Sequence, residues 1–235
     1  MVRVVSGLLY LRLLKLLTYA SDMQYNLVYA EEAPIPTTKA WTLRQVGVFC
    51  RYTPKPSGNI WIFLNAKEGS IIQNRIEDGM KKWELNNTYP QSLFSLHLLV
   101  FSSYFRNWRF YLSDLNQELE DIADIALTRE FSKSSHYTEG YDQLRKLKHL
   151  EDKVLPLTAR FRTILGTVLA LRDVNELFRN AGFWQGKDYL DVSNELKCYE
   201  THINGHLETV TLMEKRVKEI LNLVRVAMKR LAIYY

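Results

Sequence analysis

From Ser92 to the end of the chain, apolar residues return every three or four positions through three long stretches, and a chain patterned in this way must build long helices. The first stretch carries Leu96, Leu99, Val100, Tyr104, Trp108, Tyr111, Leu115, Leu119 and Ile122 on one stripe and is read as a single helix. The second runs from Tyr141 to about Phe178, with Leu147, Leu150, Val154, Leu157, Phe161 and Ile164 in phase. Pro156 lies inside it, where a proline is expected to bend or break a helix. The third, Val192 to Tyr235, repeats the pattern with Leu196, Val210, Met213, Val217, Ile220 and Val224. Phe131–Gly140, polar and Ser-rich, and Asn180–Lys187, which contains Gly182 and Gly186, read as the connections. Helices of this length must bury their stripes against one another, against the rest of the chain or against another subunit. Charged residues punctuate the last stretch, and the chain as given is not expected to cross a membrane.

The first third has a different texture. Asn26–Tyr29 reads as a short strand, and Glu31–Lys39, holding Pro34 and Pro36, as a connection that is not helical throughout. Trp41–Tyr52 and Asn59–Leu64 are β-prone runs separated by Thr53-Pro54-Lys55-Pro56-Ser57-Gly58, which predicts an antiparallel hairpin whose register the loop does not fix. Ser70–Trp83 carries Ile72, Ile76 and Met80 at helical spacing, and Asn86–Pro90 ends that helix. The expectation is an α+β chain: residues 1–24 an N-terminal amphipathic helix, 25–90 a small α/β portion with the hairpin, and 91–235 three long helices continuous with it. For Met1–Ala20, leucine-rich with Arg3, Arg12 and Lys15, three readings stay open: a helix packed on the domain, a membrane-surface or targeting helix, and a secretory signal.

Composition narrows the class. With 47% hydrophobic residues and only 10 Gly and 6 Pro in 235, the chain has the apolar surface to fold and is no low-complexity polymer. Two cysteines, Cys50 and Cys198, make no disulfide framework and suit a reducing compartment. The net charge of +5 is spread among interspersed acids and bases, and with no recognisable RNA or DNA module it does not point to a nucleic-acid partner.

Three segments carry a resemblance. Trp41-Thr42-Leu43-Arg44-Gln45-Val46-Gly47-Val48-Phe49 with Tyr52, Ile60–Leu64, and Asn107-Trp108-Arg109-Phe110-Tyr111-Leu112-Ser113-Asp114-Leu115 resemble the soluble region of the fungal CorA-like proteins, distant relatives of the CorA-type magnesium transporters. That family shows a W-S-I-R-Q-T-G-V-Y strand before a β-hairpin and an N-W-R-W-Y-I-x-D-L-E helix. Thr42, Leu43, Val46, Phe49, Phe110 and Leu112 depart from it, mostly by similar residues. The resemblance covers most of Tyr25–Tyr235. It implies a cytoplasmic α/β domain with a helical hairpin and one very long stalk helix, located in the cytoplasm or at the cytoplasmic face of a membrane. In the transporters the stalk feeds a membrane helix ending in Gly-Met-Asn. This sequence contains no Gly-Met-Asn and no following membrane pair, so it is expected to be either a piece cut before the membrane or a member that has lost transport. Full transporters are pentamers with regulatory Mg²⁺ between neighbouring cytoplasmic domains, so the resemblance implies a homo-oligomer.

Candidate sites follow. Asp114, Glu118 and Asp121 share a helix face at i, i+4 and i+7, a carboxylate set suited to Mg²⁺, and equally the solvated face of an amphipathic helix. Cys198, His202 and His206 at i, i+4 and i+8 offer zinc-type ligands, but a straight helix does not bring all three to one ion. Arg225, Lys229 and Arg230 form a basic end fit for anionic lipid or for plain solvent, which would place the C-terminal helix near a membrane. Trp41, Trp61, Trp108 and Tyr111 are read as architecture. No elbow, zinc or phosphate-loop motif supports catalysis, and His97, Ser102 and Ser103 do not share a helix face. The leading reading is a non-catalytic CorA-like cytoplasmic domain of a membrane-associated or self-associating regulatory protein, with Mg²⁺ sensing left open and no transport by this chain alone. The alternative is a stand-alone helical interaction module for a protein partner in signalling or defence, using the fold without ions.

Overall fold

A computed structural model describes residues 21–32, 41–53, 58–65, 68–85, 94–128, 137–183 and 186–234. Three strands, β1 (Ser21–Glu32), β2 (Trp41–Thr53) and β3 (Gly58–Asn65), are followed by helices α1 (Ile71–Leu85), α2 (Phe94–Tyr104), α3 (Trp108–Thr128), α4 (Tyr137–Asn180) and α5 (Lys187–Tyr234). The strands form an antiparallel sheet in the order β1-β2-β3. Its register sets Val48 between Tyr25 and Phe63, and Cys50 between Met23 and Trp61. Because side chains alternate along a strand, Met23, Tyr25, Leu27 and Tyr29 line one face together with Val46, Val48 and Cys50, and all of these are buried.

Four expectations change. β1 is a twelve-residue strand rather than the four residues Asn26–Tyr29, because Met23 and Tyr25 extend the buried alternation and pair fully with β2. The helix expected over 1–24 meets this strand at Ser21–Gln24, and residues 1–20 lie outside the described residues. The first long stretch is two helices, interrupted by the turn Phe105–Asn107. Asn107 donates its side-chain amide to the Ala30 carbonyl of β1 at 3.1 Å, so this residue is tied to the sheet at the boundary, where asparagine also favours starting a helix. Pro156 does not end α4, which continues to Asn180. The bulk of α4, Gly140–Asn180, is also long and apolar enough to span a membrane by composition alone, a test that the core helix of a globular protein passes as well.

The chain divides into two compact units, each made from separated segments. The first comprises Met1–Trp108 and Ile164–His202. In it α2 packs on β1, and α1 on α2, where a Cβ at Gly79 would stand 2.9 Å from a methyl of Leu99. An aromatic core runs from Tyr25 and Phe94 through His97, Phe101 and Tyr104 to Trp108, with Tyr199 stacked on Phe101 and Phe105. The turn between α4 and α5 is a Schellman motif. Phe183 N–H reaches the Phe178 carbonyl, Gly182 N–H reaches Arg179, Gly182 takes φ 74°, and the Phe178 and Phe183 rings meet edge to face. Arg172 pairs with Glu200 across the two helices at 2.7 Å.

The second unit, Arg109–Thr163 and Ile203–Tyr235, is helical among its described residues. Its buried positions follow a spacing of alternating threes and fours: Leu112, Leu115, Leu119 and Ile122 on α3; Leu147, Leu150, Val154, Leu157 and Phe161 on α4; Val210, Met213, Val217, Ile220 and Val224 on α5. That is the seven-residue repeat of coiled-coil seams, which keeps an apolar edge turned to its neighbours over many turns. Thr158 donates to Glu214, and Lys153 pairs with Glu118, so α4 runs beside both other helices.

Candidate functional site

Two acidic residues of α3, Glu118 and Glu120, meet cations from neighbouring helices. Both carboxylate oxygens of Glu118 accept from Lys153 Nζ, at 2.9 and 3.1 Å. Glu120 accepts from Asn116 and lies 3.6 Å from Arg216, while Asp121 accepts from Gln117. Asp114 is half-buried on the same helix. Mg²⁺ keeps several of its waters and is commonly held by only one or two carboxylates. Among the described residues no three His, Cys, Asp or Glu side chains converge on a metal position, and Glu118 is already neutralised by a lysine. Within one chain, Asp114, Glu118 and Asp121 form no such cluster among the described residues.

Cys198 and His202 stand side by side on α5, Sγ to Nε2 3.9 Å, and both are exposed. His202 presents its ring to Phe105, whereas His206 tilts over Phe161 in the other unit, so the three potential ligands do not gather. Arg225 and Lys229 are exposed along α5, and the side chain of Arg230 lies outside the described residues. Trp108 is fully buried beside Tyr104. Trp61 is half-buried, stacked on Phe63 and edge-on to His97, with ring centroids 4.5 Å apart in the second contact. Trp41 opens β2 opposite Glu32, half-buried, and Tyr111 is buried in the helical unit, where burial raises its phenol pKa.

Two features take a character that the sequence reading did not give them. The first is His97, buried at the centre of the aromatic core with its Nδ1 2.8 Å from Tyr25 Oη. Burial pushes the imidazole down from 6.5 to about 3 and raises the Tyr25 phenol well above its usual range. Both groups are thus neutral at pH 7. With the phenol donating to Nδ1, the remaining proton is assigned to Nε2, which has no hydrogen-bond partner among the described residues and lies on the ring that Trp61 abuts. Ser102 and Ser103 both donate to the Leu99 carbonyl, so neither hydroxyl is oriented to His97 as a nucleophile would be. The second feature is β3, whose Ile60, Ile62 and Leu64 are 56%, 44% and 43% exposed on the sheet face away from α2. The signal was present in the alternation N-I-W-I-F-L-N, since only one of its two apolar faces can turn to the core.

With this geometry in place, comparison with known proteins shows what part of the chain is similar to them. Residues 18–127 match the family of CorA-like transporters, so the sheet, α1, α2 and almost all of α3 are CorA-like in sequence. The match spans just under half of the chain and ends at the penultimate residue of α3. Among solved structures, the cytoplasmic domain of ZntB from Vibrio parahaemolyticus aligns at 13% identity with a TM-score of 0.34, over 84% of this chain and 68% of that one. No curated protein matches the chain. The matched family is one of transporters, and among the described residues no nucleophile, base and orienting group come together.

Proposed function

We propose that the chain is a non-catalytic CorA-like module that works at the cytoplasmic face of a membrane, as a self-associating regulatory domain. The observation that carries this reading is the CorA-like sequence over residues 18–127, which holds the whole sheet and the start of the helical unit. The seven-residue seams of α3, α4 and α5 support a mechanical part for that unit, because such seams transmit position along a helix without needing a bound substrate. Arg225 and Lys229, both exposed, give α5 a basic end suited to anionic headgroups. The engagement of Glu118 with Lys153, and of Glu120 with Arg216, favours association without an ion over Mg²⁺ sensing.

Light scattering of the purified chain, with EDTA and then with millimolar Mg²⁺, tests this reading. The expected mass is a multiple of 27.6 kDa that is the same in both conditions. A mass that changes with Mg²⁺ would return the ion-sensing reading, with Asp114 and Asp121 shared between copies as its residues. A monomer in both would favour the stand-alone module for a different protein partner.

A further inference from the structure

Strand β3 is hydrogen-bonded to β2 along one side, and no described residue pairs with the other. An open strand edge is a row of unpaired N–H and C=O groups, and folded proteins usually guard it with charges, prolines or bulges. Gly58–Asn65 contains no charged residue and no proline. The opposite edge, β1, carries Asp22, Glu31 and Glu32. β3 is therefore the edge the sequence leaves unguarded, and Ile60, Ile62 and Leu64 extend it with an exposed aliphatic stripe.

The order of its residues says what kind of strand it fits. From Asn59 to Asn65 the sequence N-I-W-I-F-L-N reads nearly the same in both directions about Ile62. An antiparallel neighbour identical to β3, related by a two-fold axis at Ile62, would set Asn59 opposite Asn65 and Ile60 opposite Leu64. It would also set Trp61 opposite Phe63, and Ile62 opposite its own copy. Each pairing joins like with like, and aromatic or β-branched pairs of this sort are what stabilise antiparallel ladders. A two-fold axis also brings any charge near it against the same charge, so a self-pairing strand has to be neutral, as this one is in a chain of net charge +5. A different partner would ask for neither the near-palindrome nor the neutrality.

We propose that β3 pairs antiparallel with β3 of a second copy about Ile62, joining two three-stranded sheets into one of six strands. The pairing gives the self-association proposed above its surface, and rests on that reading only in requiring that the chain meets its own copies.

The test compares the whole chain with Ile62→Lys and Ile62→Glu by light scattering, together with amide exchange over residues 58–65. The chain is expected at twice 27.6 kDa as concentration rises, and each variant at half that mass. Ile62 lies on the exposed face, so circular dichroism of the variants should match the parent. Mixing the lysine and glutamate variants should restore the dimer, since opposite charges then meet at the axis, and exchange at 58–65 in the parent should slow as concentration rises. An oligomer that neither variant dissociates overturns the β3 pairing and leaves self-association standing, whereas a monomer at every concentration overturns both. Failure of the mixture to re-form a dimer overturns the axis at Ile62. Protection of residues 58–65 that does not depend on concentration assigns the edge to another segment of the same chain, and also overturns the proposal.

Discussion

His97 shows how a single residue can make the fold sensitive to acid without any role in chemistry. Above its ordinary pKa of 6.5 the imidazole is neutral in both folded and unfolded chains, and its burial carries no protonation penalty. Below that pH the unfolded chain takes up a proton that the buried ring, with its pKa of about 3, refuses. The unfolded state then binds more protons, and stability falls as pH falls, by up to about 1.4 kcal/mol per pH unit. Urea melts should therefore lose about 2 kcal/mol between pH 6.5 and pH 5. His97→Gln, whose amide oxygen can still accept from the Tyr25 hydroxyl, should lose most of that slope. An unchanged slope would mean that His97 is not buried as neutral imidazole.

At the scale of the element, the turn between α4 and α5 and the break between α2 and α3 make opposite cases. Gly182 has φ 74°, which a Cβ disfavours by about 1–2 kcal/mol, so Gly182→Ala should lower the urea midpoint by about that free energy. The nearest atoms leave the space free, so backbone conformation alone sets the cost. That turn was legible, as was the β2–β3 hairpin, because glycine, proline and β-prone runs act through the local backbone and need no distant partner. The break at Phe105–Asn107 was not legible, because Tyr104 and Trp108 keep the apolar stripe in phase across it. What stops α2 there is accompanied by a bond from Asn107 to Ala30, seventy-seven positions earlier. The reverse holds at Pro156, where a local signal for breakage loses to the seam, since Val154 and Leu157 on either side of it are fully packed. The candidate site was half legible for the same reason. Spacing placed Asp114, Glu118 and Asp121 on one side of α3, but the cation that neutralises Glu118 comes from α4, thirty-five positions later.

For the whole molecule, the decisive fact is that neither compact unit is continuous in sequence. The sheet and its first helices depend on Ile164–His202, and the helical unit depends on residues from Ile203 onward. A chain cut after Thr163 should therefore fold neither unit, and its circular dichroism should show no cooperative urea transition. A sharp transition in that fragment would mean that one unit closes without its second segment. Burial supports the expectation, since Phe178, Tyr189, Leu196 and Tyr199 belong to the buried core that such a cut removes.

The same interleaving bears on how the protein is made. The last residue of β3 is Asn65, but the helical segment that completes its unit reaches His202. At a translation rate of roughly 5–20 residues per second, the finished hairpin waits on the order of ten seconds beside the ribosome before that segment emerges. During that interval α2 emerges and packs on the sheet, but Tyr52, Phe94 and Phe101 still lack the Phe178 and Tyr199 rings that will meet them, so an incompletely covered aromatic surface early in synthesis is built into the order of its elements.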